Sequence, residues 1–192
     1  QKAFVFRDIE LTLPATGKVL IDKVTGTANA GRVLALMGPS GAGKTTLLNA
    51  LGGRATYAKV YGSVTLGGRP LSNDDLNFVP QFDDLNEIFS ARELLDYMRL
   101  LNLVIMRALK EGRKNINKLL HILGLGHKAD ERVSTLSGGE KKRLSIGMAE
   151  PEVLFLDEPT TGLASAAAYS VVGYISKLVA QTNVVCIMTI HQ

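Results

Sequence analysis

The sequence predicts an α/β chain: a mostly parallel sheet covered by helices on both faces, with an N-terminal antiparallel β lobe and a helical insert. Three observations carry this expectation. In the last third, helical segments alternate with short apolar runs: helix from Ser137, strand at Val153 to Leu156, helix from about Ser165, strand at Val184 to Ile190. Nearer the start, the apolar run Val33 to Met37 ends on Gly38 and leads into a helical segment. The rest of the first part is β in character, and the middle is helical.

Taken in order, Phe4 to Leu13 and Lys18 to Val24 read as strands, and Tyr61 to Leu66 is a strand entering a turn at Gly67-Gly68. Lys44 to Leu51 reads as a helix stopped by Gly52-Gly53. Ser90-x-x-Glu93 is a capping-box pattern opening a helix through Leu103, and a second helix ends near Gly124. The expected organisation is a single domain over 1–192. Its β lobe and α/β core occupy about 1–89 and 136–192, and its helical subdomain about 90–135.

Composition narrows the class. With 192 residues, 46% of them hydrophobic, the chain can bury a sizeable core and is neither disordered nor fibrous. No apolar run approaches the roughly 18 residues a membrane-spanning helix needs, so any membrane role comes from a partner or from further sequence. No signal-peptide pattern opens the chain. The chain stops at Gln192, just past its last candidate motif, and reads as a piece of a longer protein. Cys186, inside an apolar run, reads as a buried, inert thiol in a reducing compartment. A net charge of +4 is too mild to argue for nucleic acid, and Lys141, Lys142 and Arg143 read as a solvated helix face. His121 and His127 read as structural, and the methionines as core filler.

In open α/β sheets, ligands sit outside the carboxyl ends of the strands. Gly38 onward, Asp157-Glu158 and His191 are therefore the positions to read. Gly38, Pro39, Ser40, Gly41, Ala42, Gly43, Lys44 and Thr45 match G-x-x-x-x-G-K-[ST] between a strand and a helix, the context of a P-loop NTPase core. The glycines let backbone N–H groups turn inward onto phosphate oxygens, and the helix start adds its positive end. Lys44 reaches the β- and γ-phosphates, and the Thr45 hydroxyl can ligate Mg²⁺. A glycine-rich turn that merely joined strand to helix would need neither. Asp157 and Glu158 follow a buried strand: Asp157 is suited to hold Mg²⁺, and Glu158 to polarise the water that attacks a γ-phosphate. Ser137-x-x-Glu140 is a second capping box. Its Gly138-Gly139 pair either permits a tight helix entry or bares amides for a second phosphate grip that closes over a neighbour's nucleotide.

At this point a family resemblance emerges. Leu136-Ser-Gly-Gly-Glu140 resembles the signature motif of ABC ATPases and lies, as in that family, between the phosphate loop and the acidic strand. Gln81, in Val79-Pro-Gln-Phe-Asp83, resembles the Q-loop glutamine, and His191 resembles the switch histidine. The resemblance runs from about Phe4 to Gln192. Gly38 to Asn49, Arg143 to Gly147 and Thr189 to Gln192 are similar to the White/ABCG subfamily, whereas Pro80 to Asp83 is closer to the ABCA style. The resemblance implies ATP and Mg²⁺ as ligands, with Lys44, Gln81, Glu158 and His191 catalytic. It implies a head-to-tail dimer in which each ATP lies between Gly38 to Thr46 (Thr46 included) of one chain and Ser137, Gly138 and Gly139 of the other. Thr45 and Gln81 would hold Mg²⁺ with Asp157. The partners implied are a second nucleotide-binding domain, identical or not, and a transmembrane domain on the same full-length chain or another. Coupling would run through about Phe82 to Tyr97 at the cytoplasmic face of a membrane, for export of lipids, sterols, pigments or xenobiotics; no nucleic acid is implied. Two other readings are a soluble ABC ATPase without a transport role and a non-hydrolysing, regulatory nucleotide-binding module.

Three departures from the family pattern bear on activity. Ala164, in Thr161-Gly-Leu-Ala-Ser165, stands where the family carries the D-loop Asp, which predicts weakened communication between the two sites. Leu13 falls near the position of the aromatic that stacks on adenine in many relatives, which predicts loose base specificity. The interval from Ser137 to Asp157 and the stretch before Leu136 are shorter than the family's.

Overall fold

The computed structural model describes residues 2–72, 75–79, 85–105, 116–148 and 152–191, with side chains at all of these except 99–105 and 191. In chain order the described elements are β1 (Ala3–Thr12), β2 (Val19–Asn29), β3 (Val33–Gly38), α1 (Lys44–Leu51), β4 (Lys59–Leu66), β5 (Arg69–Pro70), β6 (Leu76–Val79), α2 (Ala91–Ile105), α3 (Ile116–Ile122), α4 (Gly138–Gly147), β7 (Val153–Leu156), α5 (Ser165–Thr182) and β8 (Val185–His191). They fall into two compact units, residues 1–81, 151–161 and 179–192 in one and 82–150 and 162–178 in the other.

The first unit holds both sheets. One is antiparallel with strand order β2-β1-β4-β5, and the other is parallel with order β3-β8-β7-β6, so the α/β class with an antiparallel β lobe is as expected. Local turns explain the first sheet. Gly17 N–H donates to the Leu13 carbonyl at 2.9 Å, closing the β1–β2 turn, and Gly67 and Gly68 take φ of 58° and 83° in the two-residue β4–β5 hairpin. At Gly62, φ is 101° and an added Cβ would lie 2.6 Å from the carbonyl oxygens of both Arg7 and Asp8. Only glycine fits there, beside the register shift between Arg7 and Glu10 in the β1–β4 ladder.

Period-2 alternation decides how the parallel sheet packs. Val153 and Phe155 of β7 and Val185 and Ile187 of β8 join one hydrophobic cluster with Leu48, Ala50 and Leu51 of α1 and Phe4, Phe6, Ile9 and Leu11 of β1. The Phe4 ring meets Phe155 edge-on at 5.8 Å, and the Phe78 ring of β6 stacks on Phe155 at 6.4 Å. Leu154, Leu156, Cys186 and Met188 point the other way and are buried too, the two-sided burial that parallel sheets require. β6 is absent from the strands expected from sequence. It has four residues, and its ladder is with β7, far along the chain. Immediately before β6, Asp75 accepts two bonds from the Arg69 guanidinium, at 2.7 and 2.6 Å, and this pairing holds its carboxyl below the usual range.

The second unit is helical. α2 opens on its capping box: Ser90 N–H donates to Glu93 at 2.8 Å and Glu93 N–H to Ser90 Oγ at 3.2 Å. Gly124, two residues past the end of α3, has a φ of 67°, the left-handed conformation expected past a helix end. Buried Leu94, Leu95, Leu120, Leu123, Leu144, Val171 and Ile175 supply apolar interior. Two expectations need correction. Lys142 and Arg143 are only 4% and 9% exposed, so the basic run on α4 is not a solvated face. Arg143 reaches Ser170 Oγ at 3.4 Å and lies over the Tyr174 ring at 4.7 Å, so α5 replaces part of its hydration, while its buried Nε has no hydrogen-bond partner among the described residues. Met37, at the end of β3, is 57% exposed and is not core filler.

Candidate nucleotide site

Four parallel strands end along one edge of the sheet. Gly38 pairs with His191, Val79 with Leu156, and Leu156 with Met188. Gly38 to Thr45 leaves this edge as a loop in which Gly41 and Gly43 take φ of 78° and 88°. Gly43 is the N-cap of α1 and brings no side-chain cap bond, so the helix opens on backbone N–H groups alone. Lys44 Nζ donates to the Gly38 and Pro39 carbonyls at 2.8 and 2.9 Å, which folds its ammonium over the loop.

The acidic pair sits beside it, and strand alternation again explains the geometry. Residues 153 and 155 face α1, so Asp157 does too, and its N–H still follows the ladder, donating to the Val79 carbonyl at 3.1 Å. The Thr45 hydroxyl, in the first turn of α1, donates to Asp157 Oδ1 at 3.0 Å. On the neighbouring strand, 185 and 187 face α1, so Thr189 does as well, and its hydroxyl donates to the same Oδ1 at 2.8 Å. Glu158 leaves the strand with φ of 42°. Its N–H donates to Thr189 Oγ1 at 2.8 Å, and its carboxylate accepts from Thr161 Oγ1 at 2.9 Å. Phosphate loop and acidic pair are thus joined by hydroxyl–carboxylate bonds.

The Thr45 hydroxyl and Asp157 carboxylate are adjacent hard-oxygen donors, the set that fits Mg²⁺, which binds through one or two carboxylates plus substrate phosphates. A dedicated protein cage of three or more His, Cys, Asp or Glu groups is not found among the described residues. Gln81 lies outside the described residues. The His191 backbone ends β8 level with Gly38, and its side chain lies outside them. Sequence reasoning missed Thr189 and Thr161 as members of this cluster. The one available signal for Thr189 was a polar residue at the third α1-facing position of an apolar strand.

The glycine pair before α4 belongs to the other unit. Ser137 forms a full capping box: its N–H donates to Glu140 Oε2 at 2.8 Å, and its hydroxyl accepts from Glu140 N–H at 3.4 Å. Burial pushes the Glu140 carboxyl up, the Ser137 bonds pull it down, and the net shift is downward. Ser137 and Gly138 are exposed, whereas buried Gly139 backs onto Ala167, with an added Cβ 3.4 Å from that methyl. Lys141 forms an ion pair with Glu87. Ala164 is exposed just before α5, and Leu13 is half-buried in the β1–β2 turn.

The family model described as ABC transporter matches residues 21–161. ABC transporter G family member 21 of Dictyostelium discoideum is 37% identical over 203 residues, spanning 98% of this chain and 14% of the relative. ABC transporter G family member STR of Medicago truncatula is 39% identical over 185 residues, with 90% and 22% covered. A putative white-brown complex homolog protein 30 of Arabidopsis thaliana is 37% identical over 202 residues, with 97% and 18% covered. The chain thus spans less than a quarter of the length of these relatives. The 203-residue match is longer than this 192-residue chain, so the Dictyostelium relative carries residues without a counterpart here. Among solved structures, an ATP-binding cassette of an ABC transporter in its ADP conformation superposes with a TM-score of 0.78 over 100% of this chain and 82% of that one. At 22% identity, that likeness shows the fold.

Proposed function

This chain belongs to the ABC transporter family, and on that premise we propose that it is a single ABC domain that binds and hydrolyses ATP to drive export across a membrane. The carrying observation is the bond from Thr45 to Asp157, which brings the phosphate loop and the acidic strand end into one site. ATP phosphates lie along Gly38 to Thr46, against the backbone amides that open α1. Lys44 exchanges its two loop carbonyls for β- and γ-phosphate oxygens. Thr45 and Asp157, with Gln81, hold Mg²⁺, which when bound neutralises charge on the phosphates. Glu158 orients the attacking water and accepts its proton, while the Thr161 hydroxyl holds that carboxylate in place. His191 steadies the γ-phosphate.

Ser137, Gly138 and Gly139 of a second nucleotide-binding domain complete each site, so two ATP molecules are sandwiched between two chains. Closing and reopening of that dimer moves a transmembrane domain at the cytoplasmic membrane face, through the segment from about Phe82 to Tyr97. No helix of the described residues is long and apolar enough to cross a membrane. The White/ABCG likeness supports lipids, sterols, pigments or xenobiotics as cargo. Ala164 favours a second reading, a nucleotide-binding module that regulates an active partner.

The test is the ATPase rate of this chain over a range of protein concentrations, beside Glu158→Gln. The proposal expects a rate that rises faster than linearly. The variant should bind labelled ATP normally and hydrolyse it at least about a hundredfold more slowly. Bound ATP with no turnover in the wild-type chain would select the regulatory module instead.

A further inference from the structure

We infer that Thr189 is a positioning residue for the acidic pair, whose hydroxyl fixes the Asp157 carboxylate and the Glu158 backbone together and so sets Mg²⁺-dependent nucleotide binding and turnover. The inference rests on the reading of the site as an Mg²⁺–ATP site. Thr189 is 0% exposed, at the end of a strand whose other buried positions are apolar. Its hydroxyl lies 2.8 Å from Asp157 Oδ1 and 2.8 Å from the Glu158 N–H nitrogen. The directions of both bonds follow from the partners: a carboxylate accepts and an amide N–H donates. The single hydroxyl proton therefore goes to Asp157, and an oxygen lone pair takes the Glu158 N–H.

Three features give this arrangement consequences at the site. Thr45 donates to the same Oδ1 at 3.0 Å, so the two threonines pin one carboxylate oxygen from α1 and from β8. The Glu158 backbone is in the left-handed region, with φ of 42°, a conformation that persists in a non-glycine residue only when its surroundings hold it. A β-branched side chain has few rotamers, so the hydroxyl is fixed in advance by β8 rather than recruited by its partners. Valine has the same shape without the hydroxyl. In its place Asp157 loses one of its two anchors and the Glu158 N–H loses its acceptor, while the Lys44 loop is untouched.

The experiment compares Thr189→Val, Thr189→Ala and Thr189→Ser in this chain. The measurements are affinity for a fluorescent ATP analogue in EDTA, the Mg²⁺ concentration at half-maximal enhancement of that binding, and kcat and KM for ATP. Val and Ala are expected to keep the EDTA affinity within about twofold. They should raise the Mg²⁺ midpoint and lower kcat by roughly ten- to a hundredfold, the range for losing a hydrogen bond to a charged group. Ser, which keeps the hydroxyl and drops only the methyl, should return both to within about threefold of wild type. Folded Val or Ala variants with wild-type midpoint and kcat overturn the inference, as does a Ser variant impaired as much as Ala. Loss of folding in both Val and Ala, with Ser folded, assigns the hydroxyl to stability and overturns it too. A wild-type chain that binds no nucleotide refutes the reading of the site itself and takes this inference with it.

Discussion

Aspartate at position 137 separates the two reasons for a serine before α4. As a cap, Ser137 accepts one N–H bond, from Glu140 at 3.4 Å, and its own N–H bonds the Glu140 carboxylate at 2.8 Å. Asp caps as well as Ser, and a negative charge at a helix N-terminus gains roughly 0.3–1 kcal/mol. Against this, the bond that the Ser137 hydroxyl donates to Glu140 Oε2 at 2.9 Å is lost and a like-charge contact takes its place, each costing about 1 kcal/mol for exposed groups. Ser137→Asp should therefore cost about 1–2 kcal/mol, a melting temperature about 2–8 °C below wild type. A partner's phosphate arriving at these amides meets a different balance. A like unit charge at about 4 Å costs roughly 4 kcal/mol at an effective dielectric near 20, before screening by salt. Allowing for that screening, ATP-dependent pairing of chains should weaken by about a hundredfold or more. Sedimentation with ATP in a Glu158→Gln background reads the pairing, and thermal melting reads the cap. Undiminished pairing would refute the second phosphate grip. A melting temperature lowered by about 12 °C or more would refute the capping argument.

Burial pushes the Cys186 thiol up to about 12. Its folded value is thus raised above the unfolded one, so the stability it contributes is whole below about pH 9 and is lost as pH climbs toward 12. Unfolding free energies from urea titrations at rising pH should fall faster for wild type than for Cys186→Ala, by up to about 1.4 kcal/mol per pH unit; parallel curves would contradict the burial. Gly62→Ala forces a Cβ to 2.6 Å from two backbone oxygens at a φ of 101°. It should cost at least about 3 kcal/mol, a melting temperature lower by about 6 °C or more, and a value within 2 °C of wild type counts against the close approach. Ala164→Asp restores the family's D-loop carboxylate and should raise both the ATPase rate and its cooperativity. Unchanged rate and cooperativity would remove Ala164 as the cause of weak coupling.

Features whose physics is local were legible in the chain before any fold was known. The phosphate loop is one: strand, glycines, lysine and helix lie within a few residues of each other, and α1 begins at Lys44 as expected. Both capping boxes are four-residue devices, and both form. The strand Val153 to Leu156 announced itself as an apolar run ending on two carboxylates. Where reasoning failed, the deciding partner was distant in sequence. β6 has too few residues to show a period, and exists because β7 offers it a ladder. Lys142 and Arg143 carry the pattern of a wet helix face, yet they are buried, Arg143 against α5 side chains.

By itself, then, the sequence determined the α/β class, the family, and where the glycine-rich loop and the two carboxylates fall in the chain, because hydrogen-bonding turns, helix starts and strand ends are written in neighbouring residues. The tertiary structure alone decided which threonines serve Asp157 and Glu158. Thr189 is an ordinary strand residue, and Thr45 a loop-motif residue with no protein partner evident from sequence, until strand order β3-β8-β7-β6 sets β8 beside β7, and α1 packs on the face to which residues 157 and 189 alternate. Only that non-local pairing, fixed by the burial of Phe155, Ile187 and Leu48 in one core, converges both hydroxyls on a single carboxylate oxygen.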